Sequence, residues 1–245
     1  MASKVRAPLS DLTEGIRILD AEASRYLVRV LRLGVGDSFV AFDPAAAREA
    51  DAWLEQVDDN AVAVAVGPLR PAPIVAASAL TLVQGLAKGD KTDAIVRDAT
   101  ELGATEIVIA VTARSVVRLD PERLHSRRER WEKIAQEAAR QSGRGDAPAL
   151  NVCSWQEAME VARPGSARFC LWERADVPLA PALFPALDAK TPLAFAAGPE
   201  GGLEEAEVQL ALDAGWSAVS LGKIILRTET IAAAVLGAVR VWQAR

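Results

Sequence analysis

The sequence predicts an α/β protein in two parts. A small, mostly β N-terminal unit precedes a larger unit with a mostly parallel sheet and helices on both faces. Three observations predict it. Up to Val66 the apolar residues fall in short, turn-bounded runs of strand type. From Gly67 to Ala77 the segment GPLRPAPIVAA places three prolines in eleven residues, the composition of an inter-domain linker. Beyond it, apolar strand-like runs alternate with amphipathic helical ones.

In chain order, AEASRYLVRVLRL reads as a helix that stops at Gly34. DSFVAFD, DAWLEQV and NAVAVAVG read as strands ending in turn formers. ASALTLVQGL is the first strand after the linker. KTDAIVRDATELG is a helix with Ile95, Ala99 and Leu102 on one face and Gly103 past its end. TEIVIAVT is a strand. DPERLHSRRERWEKIAQEAARQSG is a long helix, with Asp120 as its cap, Pro121 in the first turn and Gly143 as its terminator. RFCLW, PLAFAA and SAVSLG are strands; EEAEVQLALDAG and TETIAAAVLGAVRVWQ are helices.

The chain has 245 residues, enough for a sizeable core. Its apolar runs fall short of the ~20 residues a membrane helix needs. The opening MASKVRAPLSDLTEG lacks the apolar centre of a signal peptide, so a cytoplasmic location is expected. Cys153 and Cys170 sit in apolar company and make no ligand spacing with His125, so buried thiols are expected and no metal. Net charge is −5, which argues against a nucleic-acid partner, although a whole-chain total can hide a local basic face. Locally the balance reverses: Arg114 to Lys133 holds seven basic and four acidic residues. RYLVRVLR adds Arg25, Arg29 and Arg32, and QSGR adds Gln141 and Arg144. A solvated helix face laced with i,i+4 pairs and a phosphate grip both fit this pattern.

Two stretches carry the functional signal. FAAGPEGGLEEAEV joins a strand to a helix, at the C-terminal end of a strand where open α/β sheets bind ligands. Pro199 fixes the path into the turn, and Gly201 and Gly202 can take positive φ. Glu204 and Glu205 favour the positive helix start. Their charge, and a G-x-x-G-G spacing that is not the dinucleotide fingerprint, point to a neutral or cationic ligand rather than a pyrophosphate. A tight structural turn with a capped helix is the plainer alternative. In SLGKIILRTET a second strand-to-helix junction holds arginine, hydroxyls and a carboxylate, with Thr228 or Thr230 able to cap the helix. GLAKGDKT looks like a phosphate loop, but Asp90 occupies the position of its second glycine and would repel phosphate.

AAGPEGGLEEAEV followed by LGKIILRTETIAAAVLGAV resembles the RsmE family of ribosomal RNA methyltransferases, members of the knotted SPOUT superfamily. YLVRVLRLGVGD, KGDKTDAIVRDATELGATEI, ARSVVR, RWEKIAQEAARQSGR and LWERA resemble its other blocks in order, so the likeness spans nearly the whole chain. The sequence departs where members often carry histidines, near Ser24 to Tyr26, and where they have a bulkier residue, at Ala197.

The resemblance implies a PUA-like, RNA-binding β-barrel over residues 1–72 and a SPOUT α/β domain with a C-terminal trefoil knot over residues 73–245. It implies S-adenosylmethionine as cofactor, a homodimer, and methylation of N3 of a decoding-region uridine in 16S rRNA on the small ribosomal subunit. Gly198, Pro199, Gly201, Gly202, Leu221, Gly222, Ile225, Leu226 and Thr228 are then the expected cofactor wall. Arg227 is expected to stabilise negative charge on the uracil oxygens, with Glu229 or Glu200 as base. Arg29, Arg32, Arg114, Arg118, Gln141 and Arg144 are expected to hold RNA. Two other readings compete: a non-catalytic ribosome-assembly factor, and a SPOUT methyltransferase acting on tRNA. A nucleotide enzyme built on GLAKGDKT is a third.

Overall fold

The computed structural model describes residues 5–58, 61–115, 121–162 and 164–244. Arg118 and the expected cap Asp120 lie outside the described residues. Two compact units divide the chain: Met1–Val75 with Ala139–Ala147, and Ala76–Ala138 with Pro148–Arg245.

The first unit contains β1 (Arg6–Pro8), β2 (Gly15–Ile18), α1 (Ala21–Arg25), a π-helical turn (Tyr26–Val30), β3 (Ser38–Asp43), β4 (Arg48–Val57), β5 (Val62–Val66) and β6 (Arg70–Pro71). The strands are ordered β1-β3-β4-β5-β2, with β6 on β4. The β1–β3 pair is parallel and the others antiparallel. Alternation gives them one shared core: Phe39 and Ala41, Ala50, Ala52 and Leu54, then Val62, Val64 and Val66, joined by Leu27. The expected helix to Gly34 is shorter. Asp20 caps α1 by accepting from the Ala23 amide at 2.8 Å. The chain then widens into the π turn, where β-branched Val28 and Val30 weaken the α-helix. Arg32, at φ 57°, supplies the left-handed exit that Gly34 was expected to supply. Strands β1, β2 and β6 are too short to show a period in sequence.

The second unit contains β7 (Leu80–Gly85), α2 (Lys91–Glu101), β8 (Glu106–Val111), α3 (Pro121–Gln141, its end grouping with the first unit), β9 (Ala149–Ser154), α4 (Trp155–Glu160), β10 (Ala167–Leu171), α5 (Leu179–Asp188), β11 (Leu193–Ala197), α6 (Glu205–Asp213), β12 (Ser217–Val219) and α7 (Thr228–Gln243). All its strand pairs are parallel, in the order β12-β10-β11-β7-β8-β9. Alternate strand residues feed two cores. Leu82, Ile107, Phe169 and Phe195 pack with α2, α3, α5 and α7. Val83, Val108, Cys170 and Ala196 pack with α4 and α6. Helices therefore cover both faces, as the alternating pattern predicts. Among the described residues no helix is long and apolar enough to cross a membrane, and no group of three or more His, Cys, Asp or Glu could hold a metal ion.

This topology builds one rim. Leu171 pairs with Ala197 on one side and Val219 on the other, so β10, β11 and β12 end together. The chain then leaves edge strand β12 and returns through 221–227 to α7, whose Ala232, Val235, Leu236 and Val239 are buried in the same core as α2.

Candidate active site

The three segments leaving that rim enclose a cavity of about 420 Å³. Its wall comprises residues 171–173 after β10, 198–203 after β11, and 221, 222 and 224–228 after β12, with Lys91, Val219 and Ile231. Every residue expected to contact the cofactor lies on it: Gly198, Pro199, Gly201, Gly202, Leu221, Gly222, Ile225, Leu226 and Thr228. So do Arg227 and Glu200. Glu229 is not on the wall; it reaches toward Lys91 instead.

The glycine-rich turn is held by contacts from distant parts of the chain. Gln84, fully buried in β7, has its amide nitrogen 3.0 Å from Gly85 O, 3.1 Å from Gly198 O and 2.8 Å from Thr228 Oγ1. Two of those neighbours are carbonyl oxygens, which accept only, so the side-chain NH2 must be the end that faces them. Thr228 Oγ1 donates to Gly198 O at 2.7 Å. Its hydroxyl therefore ties α7 to the turn, whereas the sequence suggested a helix cap; Arg227 holds the N-cap position and makes no side-chain cap bond. On the other side of the turn, Arg114 Nη1 donates to Gly201 O at 2.7 Å. Glu207, buried in α6, accepts from the Ala113 amide at 2.8 Å and from the Glu204 amide at 2.9 Å.

Only Gly202 of the turn has positive φ, at 72°. The other glycines make room. A Cβ on Gly198 would lie 3.0 Å from Leu203 Cγ, and one on Gly201 3.0 Å from Arg114 Cβ. Gly85, at the end of β7, would meet Pro199 Cδ at 2.5 Å. Part of this glycine content therefore serves the close packing of the turn on itself and on β7.

Charges cluster at the mouth. Lys91 Nζ lies 3.1 Å from Glu200 Oε1 and 3.8 Å from Glu229 Oε2. The Lys88 amide also donates to Glu200, at 3.1 Å. Burial pushes the Glu200 carboxyl up, but its own amide, Lys91 and the Lys88 amide together outweigh burial and hold it below the usual range. A carboxylate so stabilised is a poor proton acceptor, which counts against Glu200 as base. Glu173 places a carboxylate oxygen 3.4 Å from where a Gly202 Cβ would sit. Trp172 Nε1 is a buried donor with no acceptor among the described residues.

The expected RNA contacts are placed unevenly. Arg29, Arg32 and Gln141 are exposed. Arg114 braces the glycine turn. Arg144 requires a correction: it is 4% exposed, and Asp146 grips it through Nε at 3.1 Å and Nη2 at 2.7 Å, so its guanidinium faces inward rather than toward a phosphate. Gln84, Lys91 and Glu207 are site elements that the sequence reading does not include, and Arg114, expected to hold RNA, braces the turn instead. For Gln84 a signal existed, an amide in an otherwise apolar strand.

Two family models match the chain, an RNA methyltransferase domain over residues 76–240 and an RNA methyltransferase PUA domain over residues 19–66. Ribosomal RNA small subunit methyltransferase E of Bacillus subtilis is 33% identical over 230 residues, covering 90% of this chain and 88% of that protein. Its counterpart from Synechocystis is 32% identical, covering 94% and 74%. Among solved structures, the Neisseria gonorrhoeae enzyme of the same name, bound to S-adenosyl methionine, superposes with a TM-score of 0.85 at 28% identity, covering 98% of each chain.

Proposed function

The chain belongs to the RNA methyltransferase family that includes ribosomal RNA small subunit methyltransferase E, and from that premise we propose that it methylates N3 of a decoding-region uridine in 16S rRNA on the small ribosomal subunit, in the cytoplasm, with S-adenosylmethionine as donor. The observation that carries this is the cavity itself. Residues drawn from two separate sequence stretches, 198–203 and 221–228, form most of its wall.

The residues present suit such a donor. Leu171, Val219, Leu226 and Ile231 give an apolar lining, and the glycines expose main chain. Trp172 Nε1 offers a donor without a partner, and the Glu173 carboxylate suits a cationic ligand. When bound, the cofactor supplies an activated methyl group on positive sulfur. Arg227, exposed on the cavity wall, neutralises negative charge that develops on the uracil oxygens as N3 loses its proton. Lys91 and the Lys88 amide hold Glu200 as a carboxylate, and Glu229 reaches Lys91 from off the cavity wall, so both act as positioning groups and the proton leaves to water.

We place the knot at the return of the chain through 221–227, where α7 threads back beside Gly198. A second copy of the chain covers Ile224 and Ile225, which are 79% and 82% exposed, giving a homodimer.

The test supplies labelled cofactor with purified small subunits, protein-free 16S rRNA and tRNA, then maps the modified nucleotide by mass spectrometry. Label at one uracil N3 of 16S rRNA is expected. Label in tRNA, or cofactor binding without transfer, overturns the assignment. Arg227→Ala is expected to lower kcat roughly 100-fold with cofactor affinity unchanged, the scale of losing one preorganised charge-stabilising donor.

A further inference from the structure

The first unit carries an apolar strip that its fold does not use. Strand β2 ends the strand order, so one of its edges pairs with no strand among the described residues. Ile16 and Ile18 point the same way along it and are 75% and 76% exposed. The register continues the strip across the sheet, because Ile16 is opposite Ala65 and Ala65 is opposite Trp53, which is 41% exposed. The Trp53 ring lies against Gly67, where an added Cβ would be 3.5 Å away.

The strip is rimmed with negative charge. Asp51 and Glu55 flank Trp53 along β4, and Glu14 accepts from the Leu69 amide just beyond Gly67. Two cations adjoin it: Arg70 pairs with Asp51 of the rim and with Glu49, and Arg17, between the two isoleucines, donates to Ser10 O, so the negative charge of the rim comes from Glu14 and Glu55. An exposed edge strand bearing isoleucines invites pairing with another chain. An acidic rim repels phosphate and attracts a cationic partner.

We propose that this face docks a basic, extended protein segment with alternating apolar side chains, added beside β2 as a further strand. The identity of the segment rests on the substrate proposed above: it belongs to a protein of the small ribosomal subunit, so one face of the first unit reads protein and leaves RNA to its arginines.

Two experiments with the full chain test this. A photo-crosslinking residue at position 55, mixed with purified small subunits, is expected to yield an adduct with a basic ribosomal protein, lost in Ile16→Ser/Ile18→Ser. Adducts confined to rRNA, or to a second copy of the chain, overturn the proposal. Independently of any ribosomal substrate, a fluorescent peptide of alternating lysine and valine is expected to bind the wild type and to bind roughly 10-fold more weakly to Ile16→Ser/Ile18→Ser and to Glu55→Lys. Equal binding to all three overturns the surface itself. Failure of methyl transfer with peptide binding intact counts against the substrate and leaves the surface standing.

Discussion

The two loops that form the cavity are built on opposite principles. Gly198–Leu203 is packed and braced: Gln84 and Thr228 hold one carbonyl, Arg114 another, and Glu200 is tied to α2. Leu221–Arg227 is open, with Ile224 and Ile225 almost wholly in solvent. The first half of the site is therefore preorganised by the chain alone. The second half has an apolar surface that a single chain leaves uncovered, and it is the half proposed above to meet a second copy. Glycines show the same division. Gly85 and Gly198 are needed because a side chain would strike the turn. Gly222 has open space around it and is needed for its φ of 101°.

The largest effect is expected from Gly85→Val. The first added carbon meets both Pro199 Cδ and, at 2.6 Å, Pro199 N, neither of which can swing away as a flexible side chain would. Overpacking of about 3 kcal/mol at the turn corresponds to roughly 100-fold weaker cofactor binding. Calorimetry with S-adenosylmethionine measures it. Gly222→Ala, where only backbone strain operates, is expected to lose less, and a loss as large as that of Gly85→Val would erase the contrast between the loops.

Gln84→Leu comes next. Gly198 O keeps its bond from Thr228, but Gly85 O loses a buried donor, at a cost of about 1–3 kcal/mol. Chemical denaturation is expected to show this loss, with cofactor affinity falling roughly 10-fold. An unchanged midpoint would mean that the turn does not depend on this brace.

How much of this could be read from sequence depended on whether a residue acts locally. The two loops were legible because their composition is abnormal where they stand: four glycine or proline residues in GPEGG, and LRTET at a strand-to-helix junction. Gln84 acts across 114 residues on Gly198 and 144 on Thr228, and no local pattern encodes such a partner. Arg144 shows the converse. Its charge was visible, but its capture by Asp146 depends on a turn that sequence reveals only weakly. Strands β7, β8, β10 and β11 followed from their apolar runs. The short helix α4 carries a legible signal, the capping box from Ser154 to Glu157, whereas α5 has Pro185 inside it and no polar alternation to mark it.

A moderate effect is expected at the open loop. Ile225→Ser removes an apolar side chain from the surface proposed to meet a second copy. Burying one such side chain is worth about 1.5–3 kcal/mol and a dimer carries two, so the dimer dissociation constant measured by sedimentation is expected to rise by roughly 10-fold or more. A monomeric wild type, or no change in the variant, would assign the exposed isoleucines to some other contact.

The smallest effect is expected at Glu200, and its sign discriminates between the two loops. Glu200 has its carboxyl held below the usual range, despite burial, by its own amide, Lys91 and the Lys88 amide. A carboxylate with a lowered folded-state pKa stabilises the native state above its unfolded value of about 4.3, and that contribution disappears as pH falls through the folded value. The wild type minus Glu200→Gln stability difference should therefore be flat from neutral pH down to the ordinary carboxylate range and shrink toward zero below it. Because Glu200 is partly exposed, solvent screening keeps the difference small and added salt should shrink it further. The same glutamate acting as general base would instead give an acid limb in kcat near its pKa and a large loss of turnover in the glutamine variant. A near-normal kcat together with the acid-sensitive stability difference assigns Glu200 to the braced loop as a structural anchor. A collapsed kcat would return it to the chemistry and leave Lys91 as the group that tunes it.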